Sequence, residues 1–180
     1  IIEMCRGVYV PLDTSDTQFQ ITREKLLRTI TPKTRAIVLN SPNNPTGCIY
    51  TNETLQMIHD VVKEHNIFVI CDDVYQPLVY PDSYSSFTKF RDLRDRIILI
   101  QSFAKPYAMT GWRVGYLMAD APVKQQIEKI HQYMVVSAVS FVQRACETAL
   151  AYDPSSMIET YRKRRDYVLK RLTQMGLAVT

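Results

Sequence analysis

The stretch Gln101–Tyr116, which reads QSFAKPYAMTGWRVGY, decides how the rest of the sequence is interpreted. It follows an apolar run, Ile97–Ile100, of the kind that forms a buried strand. Lys105 stands a few residues after that strand, and Arg113 follows it between two glycines. A strand that leads into a lysine and then an arginine suggests a site in which Lys105 acts covalently and Arg113 binds an anion.

The composition is that of an ordinary globular protein. The chain has 180 residues, of which 46% are hydrophobic and 22% are charged. A net charge of +4 does not by itself indicate a nucleic-acid partner. The basic run at 162–165 is interpreted as the solvated face of an amphipathic helix. No apolar run approaches the ~20 residues that a membrane-spanning helix needs. We therefore expect no nucleic-acid partner and no membrane partner.

The cysteines are widely spaced and form no CxxC pair. They are Cys5, Cys48, Cys71 and Cys146. None of the three histidines stands near a cysteine at the spacing of metal ligands. We expect reduced thiols in a cytoplasmic protein and no metal site, although the sequence leaves a disulfide open.

The secondary-structure pattern predicts an α/β fold. Apolar runs at 36–39, 67–71 and 97–100 are continuous, as in strands that are buried on both faces. A helix from Thr51 or Asn52 to about residue 65 separates the first two, and strand–helix–strand is the pattern of a parallel sheet. The run at 114–118 returns too soon for a parallel crossover and should pair antiparallel.

The remaining elements complete this prediction. We expect a strand at 7–12, a short helix at 22–30 capped by Thr22, and helices at about 121–134 and 138–151. A last helix should begin near Pro154 and end before Gly176. The expected architecture is a mainly parallel sheet with one antiparallel strand, covered by helices.

Polar residues follow each of the three apolar strands. Asn44 follows the first, Asp72 and Tyr75 follow the second, and Ser102 and Lys105 follow the third. Gaps of about one crossover unit separate them. Because ligands of open α/β sheets bind outside the carboxyl ends of the strands, we expect these side chains to converge at one edge.

This set of residues suits pyridoxal phosphate. A lysine amine can capture its aldehyde, and a carboxylate such as that of Asp72 can keep its ring nitrogen protonated. Asn44 and Tyr75 can donate to its phenolic oxygen, while Arg113 and a serine hydroxyl can bind its phosphate. The sequence contains neither GxGxxG nor GxxxxGK[ST], so a dinucleotide site and a P-loop are unsupported.

At these residues the chain resembles the class I aminotransferases of the fold-type I pyridoxal-phosphate enzymes. The resemblance lies in Asn43–Gly47 (NNPTG), in Asp72–Tyr75 (DDVY), in Ser102–Lys105 (SFAK) and in Gly111–Gly115 (GWRVG). The three strand-end motifs occur in the family's order and at compatible spacing. Asp73 stands where the family more often has glutamate, and we expect Asp73 to be structural.

The resemblance implies a role for each site residue. Lys105 would form an aldimine with the cofactor and then carry the proton between the substrate Cα and the cofactor. Asp72 would pair with the ring nitrogen, and Tyr75 would complete the catalytic set. The implied cofactor-binding residues are Asn44, Asp72, Tyr75, Ser102, Lys105 and Arg113.

The resemblance also implies the domain organisation, a three-layer α/β/α large domain. Residues 1–152 would be most of the cofactor-binding domain, and residues 153–180 a helix that leads to a smaller domain. The family's upstream phosphate loop, ring-stacking aromatic residue and downstream carboxylate-binding arginine cannot be located. We therefore expect a middle fragment of a homodimeric enzyme that acts on amino acids and 2-oxo acids.

Two alternatives to aminotransfer remain open at this point. The same residues would serve a carbon–sulfur β-lyase that uses pyridoxal phosphate. A transcription regulator with an aminotransferase-like effector domain would also carry them.

Overall fold

The structure is a computed structural model that describes residues 2–80 and 84–179. Four strands form one sheet in the order β1-β2-β3-β4. Their bounds are β1, Ala36–Asn40; β2, Phe68–Asp72; β3, Ile97–Ser102; and β4, Gly115–Met118. The first three strands are parallel to one another, and β4 is antiparallel to β3. The predicted fold class, α/β with a mainly parallel sheet and one antiparallel strand, is confirmed.

Five α-helices accompany the sheet in the described part of the chain. They are α1, Arg23–Thr29; α2, Asn52–His65; α3, Ala121–Val135; α4, Ser140–Leu150; and α5, Ser155–Gln174. Short 3₁₀ segments lie outside these helices at Glu3–Cys5, Ser15–Thr17, Gln76–Leu78, Phe87–Lys89, Arg91–Arg96 and Thr110–Trp112. These bounds agree with the predicted helices to within about two residues.

Side-chain caps explain where the first two helices begin. The Thr22 hydroxyl accepts from the backbone N–H of Lys25, and the Thr51 hydroxyl accepts from that of Thr54. Each cap satisfies a backbone donor that the first helical turn leaves without a partner. At the other end of the chain Gly176 follows α5 with φ +72°, a conformation that suits glycine and ends the helix.

The main core lies between α2 and one face of the sheet. Ile58, Val61 and Val62 of α2 are fully buried, and they share a cluster with Val69 and Cys71 of β2. Residues 69 and 71 point to the same face because side chains alternate along a strand. Burial of each such side chain contributes roughly 1.5–3 kcal/mol, so this layer holds the three parallel strands in place.

The opposite face of the sheet is more open than the sequence predicts. Val38 in β1 is 55% exposed and Ile100 in β3 is 36% exposed. The expectation that these strands are buried on both faces is therefore wrong within this chain. The core helices α1 and α2 pack on the face that carries Val69 and Cys71.

The predicted strand at 7–12 is also wrong. Residues 7–12 have no regular secondary structure, and Val8 is 85% exposed while Tyr9 is 62% exposed. A strand needs a neighbour to satisfy its backbone N–H and C=O groups, and none of the four strands pairs with this segment.

A buried histidine connects α2 to the segment that precedes β3. His59 of α2 contacts Asp60 through Nδ1 at 2.8 Å and Asp92 through Nε2 at 3.0 Å. Burial alone would lower the pKa of His59, but hydrogen bonds to the two carboxylates outweigh it and raise that pKa. The contact between His59 and Asp92 joins α2 to the Arg91–Arg96 segment, and β3 begins directly after that segment.

Candidate active site

The candidate site lies where the three parallel strands end. Asn40 of β1 pairs in register with Asp72 of β2, and Asp72 pairs with Ile100 of β3. Asp72 and Ser102 are the last residues of β2 and β3, and the other predicted site residues lie in the loops that follow the strands. The predicted convergence at the carboxyl ends of the strands agrees with this register.

Asp72 presents an unpaired carboxylate oxygen. Its Oδ1 is buried and has no hydrogen-bond partner among the described residues. Its backbone carbonyl, in contrast, accepts from the Asn40 side chain at 3.1 Å and from the backbone N–H of Ser41 at 3.3 Å. A buried carboxylate oxygen without a donor is costly, so this atom fits a site that receives an N–H group from a ligand.

Tyr75 brings Asn44 and Lys105 together. The Asn44 side-chain amide donates to the Tyr75 hydroxyl at 3.1 Å. Because Tyr75 accepts this bond, its own hydroxyl proton remains available to another acceptor. The Lys105 amine lies 5.0 Å from the centre of the Tyr75 ring, and it makes no hydrogen bond or ion pair within residues 2–80 and 84–179.

Ser102 and Arg113 lie on either side of the turn between β3 and β4. The Ser102 hydroxyl accepts from the backbone N–H of Ala104 at 3.0 Å, which orders the start of the loop that carries Lys105. Arg113 adopts a left-handed conformation with φ +51°, and its guanidinium donates to the carbonyl of Thr110 at 2.9 Å. Arg113 makes no described hydrogen bond to any of the other five predicted cofactor-binding residues.

Gly115 allows β4 to return closely beside β3. A Cβ atom at this position would lie 2.5 Å from the backbone oxygen of Gln101, which is far inside van der Waals contact. The absence of a side chain therefore permits the pairing of Ser102 with Gly115. This pairing holds the Arg113 turn next to the end of β3.

Sequence reasoning missed two groups that support the site. Asn40 bridges the end of β2 and the loop that carries Asn44. Ser86 donates to the Asp73 carboxylate at 2.6 Å, so a segment after Tyr75 is fixed to the same strand end. The sequence does contain a signal for Asn40, because an asparagine ends a run of residues that is otherwise apolar. The contact with Ser86 crosses an irregular stretch and has no sequence signal.

Asp73 is buried and has a perturbed carboxyl group. It is only 3% exposed, as expected for the structural role that the sequence suggests. Burial raises the pKa of Asp73 from its ordinary 3.8 to about 6, with a smaller contribution from the neighbouring Asp72. The hydrogen bond from Ser86 acts in the opposite direction and only partly offsets the burial.

Replacing Asp73 with asparagine should weaken the dependence of protein stability on pH. Between about pH 4 and pH 6 the unfolded chain releases this proton while the folded chain retains it, so the unfolded state binds fewer protons. The free energy of unfolding should therefore fall as pH rises through this window, by up to about 3 kcal/mol, and Asp73→Asn should reduce that fall. Chemical denaturation of the full-length protein at a series of pH values measures it.

The exposed Asp95 offers a matched control for this measurement. Its side chain is 61% exposed, so Asp95→Asn should leave the slope of stability against pH as it is in the wild type. Equal slopes for Asp73→Asn and wild type would show that Asp73 does not titrate in this window.

The other features of the described residues point to no second centre. A cavity at the amino ends of β1 and β2 is lined by residues that include Ile30, Thr34, Arg35, His65 and Phe68. It contains no predicted site residue. Within residues 2–80 and 84–179, no three His, Cys, Asp or Glu side chains cluster as metal ligands. No helix in the same residues is both long and apolar enough to span a membrane.

Comparison with known proteins agrees with this geometry. The family described as aminotransferase class I and II matches residues 1–180. An aspartate aminotransferase of Musicola paradisiaca is 40% identical over 174 residues, which is 94% of this chain and 43% of that protein. A probable N-acetyl-LL-diaminopimelate aminotransferase of Bacillus subtilis is 38% identical over 99% of this chain and 46% of that protein.

Solved structures show the same likeness in three dimensions. A double mutant of the Thermus thermophilus aspartate aminotransferase superposes with a TM-score of 0.89 at 31% identity, over 98% of this chain and 48% of that chain. In each of these comparisons the chain spans less than half of its relative's length.

Proposed function

This chain belongs to the class I and II aminotransferase family, and from that premise we propose that the full-length protein moves an amino group from an amino acid to a 2-oxo acid. The proposed cofactor is pyridoxal 5′-phosphate. The observation that carries the proposal is the buried, unpaired Asp72 Oδ1 at the end of β2, together with the contacts that join Asn44, Tyr75 and the Lys105 amine.

The residues of the site fit this cofactor. When bound, pyridoxal phosphate supplies an aldehyde that an amine can capture and a protonated ring that withdraws electrons from the substrate Cα. Asp72 Oδ1 would accept the ring N–H, which satisfies the one buried side-chain atom that lacks a partner among the described residues. The negative charge of Asp72 would also hold that proton on the ring nitrogen.

Lys105 would carry out the covalent and proton-transfer work. Its amine would hold the cofactor by the aldehyde carbon. As a free base, the same amine would move a proton between the substrate Cα and that carbon of the cofactor. The absence of a described hydrogen bond or ion pair to its Nζ leaves that atom available for both tasks.

The remaining residues would orient the cofactor. Asn44 and Tyr75 would donate to the phenolic oxygen, for which the Tyr75 hydroxyl proton is available. Ser102 and Arg113 would bind the phosphate, since a guanidinium binds phosphate oxygens bidentately. Arg113 would exchange its present bond to the Thr110 carbonyl for the phosphate.

Further parts of the proposal concern the whole protein. Residues 1–152 would form most of the cofactor domain, and residues 153–180 would lead to a smaller domain. A homodimer would bury exposed apolar residues at the end of α3, such as Tyr133, Met134 and Val136. All four cysteines are unpaired, which supports a cytoplasmic location.

A single half-reaction tests amino transfer against β-elimination. Full-length protein loaded with pyridoxal phosphate and given an amino acid, without an acceptor, should release a stoichiometric amount of 2-oxo acid and then stop. The bound cofactor should change colour, and addition of a 2-oxo acid should restore its original absorbance. Continuous release of ammonia and 2-oxo acid without an acceptor would instead indicate a lyase, which the named relatives do not favour.

A further inference from the structure

Asn40 is the last residue of β1, and it occupies an unusual position for an amide. The four residues before it, Ala36–Leu39, are all apolar. Asn40 is half-buried and lies directly opposite Asp72 in the strand register. A half-buried amide needs hydrogen-bond partners on both its oxygen and its nitrogen, so its neighbours show what it holds.

The two ends of the Asn40 amide contact two different parts of the site. Its Nδ2 donates to the backbone carbonyl of Asp72 at 3.1 Å. Its Oδ1 accepts from the backbone N–H of Asn44 at 2.9 Å and from the side chain of Asn43 at 3.3 Å. One rigid planar group therefore spans the gap between the end of β2 and the loop that carries Asn44.

The turn at 43–47 has its own internal bonds, which do not tie it to β2, and the bond from the Ser41 N–H to the Asp72 carbonyl attaches only the start of the loop. The backbone N–H of Gly47 donates to the Asn43 carbonyl at 2.8 Å, and the Thr46 hydroxyl donates to Asn43 Oδ1 at 2.9 Å. Asn43 thus forms the turn, whereas Asn40 attaches the turn to the neighbouring strand. Loss of the Asn40 amide should leave the turn folded and loosen its position relative to Asp72.

We propose that Asn40 is a positioning residue that fixes Asn44 relative to Asp72, and so sets the spacing between two contacts that a bound cofactor would use. The inference rests on the proposed function for the identity of that cofactor. The bonds themselves do not depend on it. Because Asn44 donates to the Tyr75 hydroxyl, the Asn40 amide also helps to fix the position of that hydroxyl.

The primary test replaces Asn40 with alanine in the full-length protein and measures two properties of bound pyridoxal phosphate. The dissociation constant should rise roughly tenfold, as expected for disturbed bonds to an ionised ligand group. The pH midpoint of the cofactor's colour change should also move upward, because poorly placed donors stabilise the ionised phenolic oxygen less. Unchanged values for both properties in folded Asn40→Ala protein would overturn the proposal.

A double-mutant cycle separates positioning from a general loss of stability. If Asn40 acts through Asn44, then Asn40→Ala should shift the midpoint much less in an Asn44→Ala background than in the wild type. Equal shifts in the two backgrounds would contradict the proposal. Asn52→Ala, an exposed asparagine at the start of α2, is the matched control and should leave the midpoint as it is.

A third readout needs no cofactor and so distinguishes the two proposals. In the cofactor-free full-length protein, the Asn44 amide proton should exchange with solvent faster in Asn40→Ala than in the wild type. Asn40→Asp keeps an acceptor for that proton and should retain slower exchange, and it serves as the second variant if the alanine protein does not fold. Unaltered exchange in Asn40→Ala would overturn the role of Asn40. Failure of the wild-type protein to bind pyridoxal phosphate would overturn the proposed function alone.

Discussion

Replacing Lys105 with alanine is expected to lower the rate of amino transfer by about 10⁴-fold and to abolish covalent attachment of the cofactor. The Lys105 amine is the one proposed nucleophile of the site, and it lies against the Tyr75 ring without a described polar partner. Its removal takes away both the group that would hold the cofactor and the base for the substrate Cα proton. Single-turnover absorbance measurements with a saturating amino acid would record the loss.

Lys124 provides the matched control for this variant. It lies in α3, is 55% exposed and pairs with Glu128, which is not a predicted site residue. Lys124→Ala should therefore keep the wild-type rate. A Lys105→Ala protein that still turns over at a comparable rate would remove Lys105 from the chemistry.

Replacing Asp72 with asparagine should separate cofactor binding from catalysis. The neutral side chain retains the shape of the carboxylate but no longer holds a proton on the ring nitrogen, so the electron-withdrawing power of the ring should fall. We expect amino transfer to slow by about 10³-fold, while pyridoxal phosphate stays bound through Lys105 and the phosphate contacts. The turnover number and the cofactor dissociation constant should be measured on the same preparation.

Two comparisons make the Asp72 result interpretable. The exposed Asp95 again serves as a control, and Asp95→Asn should leave the turnover number unaffected. Turnover of Asp72→Asn at the wild-type rate would eliminate the ring-nitrogen role. Weaker cofactor binding, with a normal turnover number for the enzyme that retains cofactor, would show that Asp72 binds the cofactor but does not activate its ring.

Most of the fold could be predicted because local signals agree with the tertiary structure. The apolar runs that became β1, β2 and β3 are short, continuous and bounded by polar loops. Thr22 and Thr51 cap their helices as the sequence indicates. The antiparallel course of β4 followed from chain length alone, since a turn of this length leaves no room for a crossover.

The incorrect predictions concern residues whose structure depends on tertiary partners. The segment at 7–12 has the composition of a strand but pairs with none of the four strands. Val38 and Ile100 look like core residues in the sequence, yet the helices that pack on the sheet leave them exposed. Apolar composition shows that a side chain favours burial, but the side chain is buried only where another element packs on it.

The candidate site was predictable to the extent that strand ends determine it. Asn44, Asp72 and Lys105 stand at or after the ends of the apolar runs in the sequence, and the strand register sets those ends side by side. The support given by Asn40 and by Ser86 depends on side-chain directions and on loops without periodicity. Their roles emerge only when distances between atoms are known.

The most direct test of the account is to find the residue that carries the cofactor. Full-length protein loaded with pyridoxal phosphate should be reduced with borohydride, digested and examined by mass spectrometry. We expect to find the cofactor mass on the peptide that contains Lys105, with none on Lys89 or Lys124. A modified peptide from any other lysine, with Lys105 unmodified, would contradict the central claim.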